Sequence, residues 1–205
     1  MSVATSTPDF SRRALAPPDL IWRLDVRQYH EMIEAGILTE DDPVELLDGC
    51  LVPKMPKNPP HTLVNGLIHE AIARLLPAGW FADSQEPITT DDSEPEPDVR
   101  VVRGERRAFR ERHPGPRDIG LVVEVSDATL ERDRKLKKQL YGRAGISVYW
   151  IVNLRERRLE VYTEPSGPAA KAGYGRRQDF GPGDVVPVTL DGVEVGRLAV
   201  DDLLP

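Results

Sequence analysis

Three residues stand out by type and place: Asp98, Glu124 and Lys137. Glu124 lies inside Ile119-Gly-Leu-Val-Val-Glu-Val-Ser126, an apolar, β-branched run with the length of a buried strand. A carboxylate inside such a run is costly unless it is paired or bound to a cation. Asp98 follows Glu94-Pro-Glu-Pro97 and leads into Val99-Arg-Val-Val102, so it sits at the mouth of a strand that two prolines keep from starting earlier. Lys137 falls in a segment of helical periodicity from Leu130 to about Ala144, stopped by Gly145. On a wheel of about 100° per residue, Leu130, Asp133, Leu140, Tyr141 and Ala144 all fall within about 60° of Lys137. That places Lys137 on the apolar stripe, with Lys135 almost opposite and Lys138 on the flank. Two acids at the same end of neighbouring strands can hold a divalent ion through oxygen. An amine beside them can orient water or steady a phosphate. The set suits metal-dependent hydrolysis of a phosphodiester, although a structural ion pair, or a lysine snorkelling past the helix edge, would give the same pattern.

The elements that must position these residues follow from periodicity. Ile119–Val125, the helix after it, and Ile146–Val152 read as strand, helix, strand, a connection long enough for a parallel crossover. Upstream, Asp25–Ala35 reads as a short helix ending at Gly36, and Val44–Val52 as a hairpin turning at Asp48-Gly49, with Glu45 in its first strand. Lys54–Pro60 is a proline-rich loop, and His61 opens an amphipathic helix to Leu76. His61 is either a site residue or a polar helix start. Trp80–Asp83 and Pro87–Thr90 are short strand candidates. Arg103–Arg117 is a solvated helix or loop whose arginines form the densest basic cluster, muted by Glu105 and Glu111. Arg158–Tyr162 reads as an antiparallel strand and Glu164–Gly175 as a loop. Val185–Leu198 reads as a small hairpin turning at Asp191-Gly192, and Val200–Leu204 as a docking terminal segment.

Composition sets the outer bounds. At 205 residues the chain suits one domain with an extension, read as a flexible arm over residues 1–19 and a single domain over 20–205. No run has the length of a membrane span, and a lone cysteine, Cys50, fits a reducing cytoplasm. The net charge of −7 argues against a bulk electrostatic grip on nucleic acid and leaves room for a carboxylate-rich metal site. There is no glycine-rich phosphate loop, no Cys/His zinc spacing and no Gly-x-Ser-x-Gly elbow.

The order and spacing of these segments resemble the PD-(D/E)-x-K nuclease superfamily, and more closely the Uma-type family of restriction endonucleases. The matching stretches are Tyr29–Gly36, Val44–Gly49, Pro60-His61, Glu94–Val99, Leu121–Ser126, Asp133–Tyr141 and Ala144–Asn153. The resemblance covers roughly residues 25–204. It implies an α/β, restriction endonuclease-like core, a mixed sheet flanked by helices. It further implies Mg²⁺- or Mn²⁺-dependent cutting of DNA, with Asp98 and Glu124 as metal ligands and Glu45, His61 and Glu96 as accessory residues. One departure stands out: the parent motif places its lysine two residues after the glutamate, where this chain has Ser126. In the Uma-type pattern the lysine lies on the following helix, at the place of Lys137. Two other readings remain open, a nuclease fold that binds nucleic acid or protein without cutting, and an enzyme on a small phosphorylated substrate. A homodimer would supply the two sites that cutting both strands needs.

Overall fold

Glu124 enters the core on a strand that is buried along its whole length. In the computed structural model, which describes residues 20–39, 41–169 and 171–204, all eight residues of β5 (Ile119–Ser126) are buried. A strand with both faces covered reads as an unbroken apolar run, which is why Ile119–Ser126 shows little alternation. It lies inside a six-stranded sheet of order β3-β4-β5-β6-β7-β8, formed by Trp80–Asp83, Val99–Arg103, Ile119–Ser126, Val148–Asn153, Arg158–Pro165 and Tyr174–Phe180. Only β5 and β6 run parallel, in register Glu124↔Ile151, and the other neighbours are antiparallel. The sheet is mixed and flanked by helices, as the family resemblance implies.

Each face of the sheet has its own cover. On one side Val99, Val101, Leu121, Val123 and Val125 pack against Val64, Ile68 and Ile72 of α2 (Pro59–Leu75). The hairpin β9 (Val185–Leu190) and β10 (Val193–Ala199) joins them, with the short α5 (Val200–Leu203). On the other side Val122, Tyr149 and Ile151 meet Leu140, Tyr141 and Ile146 of the β5–β6 crossover. Glu124 faces this second layer. The crossover is not one regular helix. It runs as α3 (Leu130–Arg132), a π-helical turn (Asp133–Lys137) and α4 (Lys138–Arg143). The Lys138 amide donates to the Asp133 carbonyl five residues back, the wide spacing that defines such a turn.

The remaining expectations meet mixed outcomes. Helix α1 (Val26–Glu34) carries a reciprocal capping box between Asp25 and Gln28, and β1 (Val44–Leu47) and β2 (Cys50–Pro53) form the expected hairpin. Asp48 and Gly49 both take positive φ, as a two-residue hairpin turn requires. Helix α2 begins two residues before His61, because Asn58 caps it and Pro59 and Pro60 fit its first positions. Pro87–Thr90 is not a strand; the Ile88 amide donates instead to the Pro95 carbonyl, within a local turn of chain. Strand β8, which the sequence pattern does not reveal, is an exposed edge of the sheet, and its Arg176, Arg177 and Asp179 carry no apolar signal. Residues 1–19, read as an arm, lie outside the described residues. Among the described residues no helix is long and apolar enough to cross a membrane.

A second buried carboxylate, Glu160 on β7, shares a row with Glu124, since Ile151 pairs with both residues. Its oxygens accept from Arg134 Nε at 3.0 and 3.2 Å and from the Tyr162 hydroxyl at 2.6 Å, with Arg177 at 3.4 Å. Burial alone would raise its pKa, but the Arg134 and Tyr162 hydrogen bonds and the two guanidinium charges hold it below the ordinary glutamate range. Between the folded and unfolded values the unfolded chain binds more protons. The stabilisation is therefore complete above the unfolded pKa and lost as pH falls through the folded one. Thermal unfolding of wild type and Glu160→Gln across the acid range checks this. The variant should melt lower at neutral pH and lose less on acidification, and parallel pH profiles would rule the assignment out.

Candidate active site

The β4–β5 pairing fixes the two acids side by side. Val99 pairs with Val123, so Asp98, one residue before β4, lies opposite Glu124. Asp98 Oδ2 accepts from the Val125 amide at 2.8 Å and lies 3.1 Å from His61 Nε2. His61 stands in the first turn of α2, where Asn58 Oδ1 accepts from its amide at 3.0 Å. The first turn of that helix thus reaches the Asp98 carboxylate through the His61 side chain. Glu124 Oε1 accepts from Lys137 Nζ and from the Tyr141 hydroxyl, both at 2.8 Å. Lys137 reaches Glu45 Oε2 at 3.6 Å as well, and that oxygen accepts from the Glu96 amide at 3.2 Å. Lys54 Nζ closes the far wall by pairing with Glu96 at 2.7 Å.

Asp98, Glu124, Lys137, Glu45, His61 and Glu96 all line one cavity of about 120 Å³. The six residues picked from sequence therefore converge in space. Lys135 points to solvent and pairs with Glu131 at 2.7 Å, and Lys138 lies over the Tyr162 ring. The arginine cluster stands elsewhere: Arg103, Arg106, Arg110 and Arg112 each pair with an acid and none lines this cavity. Sequence reasoning missed Lys54 and Arg132 on the wall, and gave no role to Tyr141 or Asp133. The last two shared the helical face of Lys137, which was the signal that could have found them.

Electrostatics set the protonation states. Burial pushes the Glu124 carboxyl up to about 8, further than the adjacent Lys137 charge pulls it down, and Asp133 and Asp98 add to the rise. Burial would lower the Lys137 pKa, but Glu124, Glu45 and Asp133 outweigh it and hold the amine above the ordinary lysine range. Lys137 is accordingly a fixed cation, suited to holding negative charge and unsuited to taking a proton.

Each acid keeps one oxygen for a further ligand. Glu124 Oε2 and Asp98 Oδ1 accept no hydrogen bond from the described residues, while the other oxygen of each carboxylate is held in place. Hard oxygen donors of this kind suit Mg²⁺ or Mn²⁺, and magnesium needs only one or two carboxylates beside water and substrate oxygens. Among the described residues no group of three or more His, Cys, Asp or Glu side chains is arranged to hold a metal ion. The fit is therefore to a two-carboxylate site, not to a closed protein cage.

Comparison with known proteins finds a family and a fold that this chain matches. The model of the Uma2 family, described as "Putative restriction endonuclease", matches residues 26–200. Among solved structures, the chain is similar to "a putative nuclease belonging to DUF820" from Anabaena variabilis ATCC 29413. The TM-score is 0.63 and the identity 17%, over 88% of this chain and 97% of that one, which shows a shared fold. No curated protein matches the chain.

An ion bound between Asp98 and Glu124 would favour the folded state by mass action. Mn²⁺ should raise the thermal midpoint of wild type. Asp98→Asn should lose that shift, and Lys137→Met should keep it on a lower baseline, since removing one partner of a buried pair costs about 3–5 kcal/mol. Equal Mn²⁺ shifts in wild type and Asp98→Asn would place the ion elsewhere.

Proposed function

The chain belongs to the Uma2 restriction endonuclease family, and from that premise we propose that it is a metal-dependent endodeoxyribonuclease with Asp98, Glu124 and Lys137 as its catalytic residues. The observation that carries this reading is their convergence on one cavity, with one oxygen of each acid accepting nothing from the described residues. Mg²⁺ or Mn²⁺ is the cofactor in this reading, held by Asp98 and Glu124. When bound, such an ion supplies positive charge at the scissile phosphate. The rest falls to the chain. The Val125 amide and His61 fix Asp98, and Tyr141 and Lys137 fix Glu124, so neither acid needs to reorganise. The Lys137 ammonium holds a non-bridging phosphate oxygen or the attacking water. In the reaction water forms a bond to phosphorus as it gives up a proton to solvent, and the bond to the leaving sugar oxygen breaks as that oxygen takes up a proton from solvent. Glu45, Glu96 and His61 keep accessory roles, Glu45 as a second carboxylate against Lys137.

DNA is the substrate in this reading, and a homodimer would bring the two sites that a double-strand cut needs. A reducing cytoplasm suits the free Cys50. A second reading, a nuclease fold that binds without cutting, draws on the net charge of −7 and on the direct closure of Glu124 by Lys137.

Plasmid and single-stranded DNA, incubated with Mg²⁺, Mn²⁺ or EDTA, separate the two. Wild type should cut with either ion and not with EDTA. Lys137→Ala, assayed below its melting temperature, should lose about 10²–10³-fold in turnover, the loss typical when one charge-stabilising donor is removed. Lys135→Ala should match wild type, because Lys135 makes only a solvent-exposed pair. Binding of DNA without cleavage under all conditions would favour the non-catalytic module.

A further inference from the structure

We propose that Ser126 and Asp133 are positioning residues that pin the π-helical turn to the sheet and so set the aim of Lys137 at Glu124. The activity part of this proposal rests on the nuclease reading above; the geometric part does not. Ser126 ends β5 two residues after Glu124, so its side chain emerges on the same face of the strand. It is fully buried, and its hydroxyl donates to Asp133 Oδ2 at 2.7 Å. Asp133 is the first residue of the π turn and Lys137 the last. The Asp133 carbonyl also accepts from the Tyr149 hydroxyl of β6 at 3.2 Å, and the next residue, Arg134, reaches across to Glu160 of β7. The start of the turn is thus tied to three successive strands.

Such ties are costly to build. Asp133 is 1% exposed, and among the described residues its Oδ1 has no hydrogen-bond partner, with Arg132 Nε at 4.0 Å. A buried carboxylate left half-satisfied is rare without a role. π turns are likewise rare and cluster at functional sites. Relaxation to a regular helix would change the rotation between Asp133 and the residues after the turn by up to about 100°. With Asp133 held on Ser126, Lys137 would turn off Glu124 together with Leu140 and Tyr141, which fill the core. The hydrogen bond from Ser126 holds the wide turn against that relaxation.

The test uses the full chain with Ser126→Ala, Asp133→Ala and Asp133→Asn. One readout is the ¹H–¹⁵N signal of the Lys137 side-chain ammonium, identified by its loss in Lys137→Met; the other is the kcat and KM of Mg²⁺-dependent DNA cleavage. Wild type should show a protected Lys137 signal. Ser126→Ala and Asp133→Ala should lose it and drop kcat by about tenfold or more, with KM little changed, as expected when a reacting group is misplaced. Asp133→Asn keeps an oxygen for the Ser126 hydroxyl and should keep both signal and kcat. The proposal is overturned if Ser126→Ala retains the protected signal, or if Asp133→Asn fails as Asp133→Ala does. Should Asp133→Ala not fold, Ser126→Ala removes a single oxygen and decides alone. Should wild type cut no DNA with any ion, the nuclease reading fails and the ammonium signal still decides the pin.

Discussion

The interaction on which the rest of this structure depends is the buried pair of Glu124 and Lys137. Both residues are nearly inaccessible, at 4% and 3% exposure, and Lys137 Nζ donates to Glu124 Oε1 at 2.8 Å. Burying either charge alone costs several kcal/mol, and a pair recovers that only with good geometry and further hydrogen bonds. The surroundings supply those partners. Tyr141 donates to the same glutamate oxygen, Glu45 brings a second carboxylate to the ammonium, and the Glu96 amide holds Glu45 in turn. Hydrophobic residues of similar size would stabilise this core at least as well, so the polar cluster is better explained by what it can do than by stability.

The cluster also accounts for features that look separate. The hairpin β1–β2 carries Glu45, and the Leu46↔Glu94 bridge ties it to the Glu94–Asp98 segment. The prolines of that segment deliver Asp98 to the strand mouth, where α2 meets it with His61. Each of the four pieces is thus held by a neighbour that also carries a site residue. Glu94 itself serves this scaffold and not the cavity: it is buried against His30 and Thr89.

Much of this was legible in the sequence, and the reasons are specific. Glu124 was visible because it interrupts an apolar run, and Asp98 because prolines mark where its strand must begin. Lys137 was visible because positions four apart stay neighbours on a helix, so it shared a face with Asp133 and Tyr141. The same wheel could not show the π turn, since one residue of extra winding changes neither composition nor spacing in the sequence. Strand β8 was missed because its hydrogen bonds are made by the backbone while its side chains face water. The Ser126–Asp133 bond was invisible for another reason. It joins a strand end to a helix start, and no one-dimensional pattern records that contact. Ser126 stands two residues after Glu124 on the same face of β5, and Lys137 reaches that face from the crossover.

The central claim, that Asp98 and Glu124 share one divalent ion beside Lys137, is tested most directly by anomalous diffraction from crystals grown or soaked with Mn²⁺. The account predicts a single anomalous peak in the cavity, within about 2.0–2.6 Å of Asp98 Oδ1 and Glu124 Oε2. It also predicts that Lys137 Nζ stays in contact with Glu124 Oε1. A peak bound by only one of the two acids, or lying outside this cavity, would contradict it.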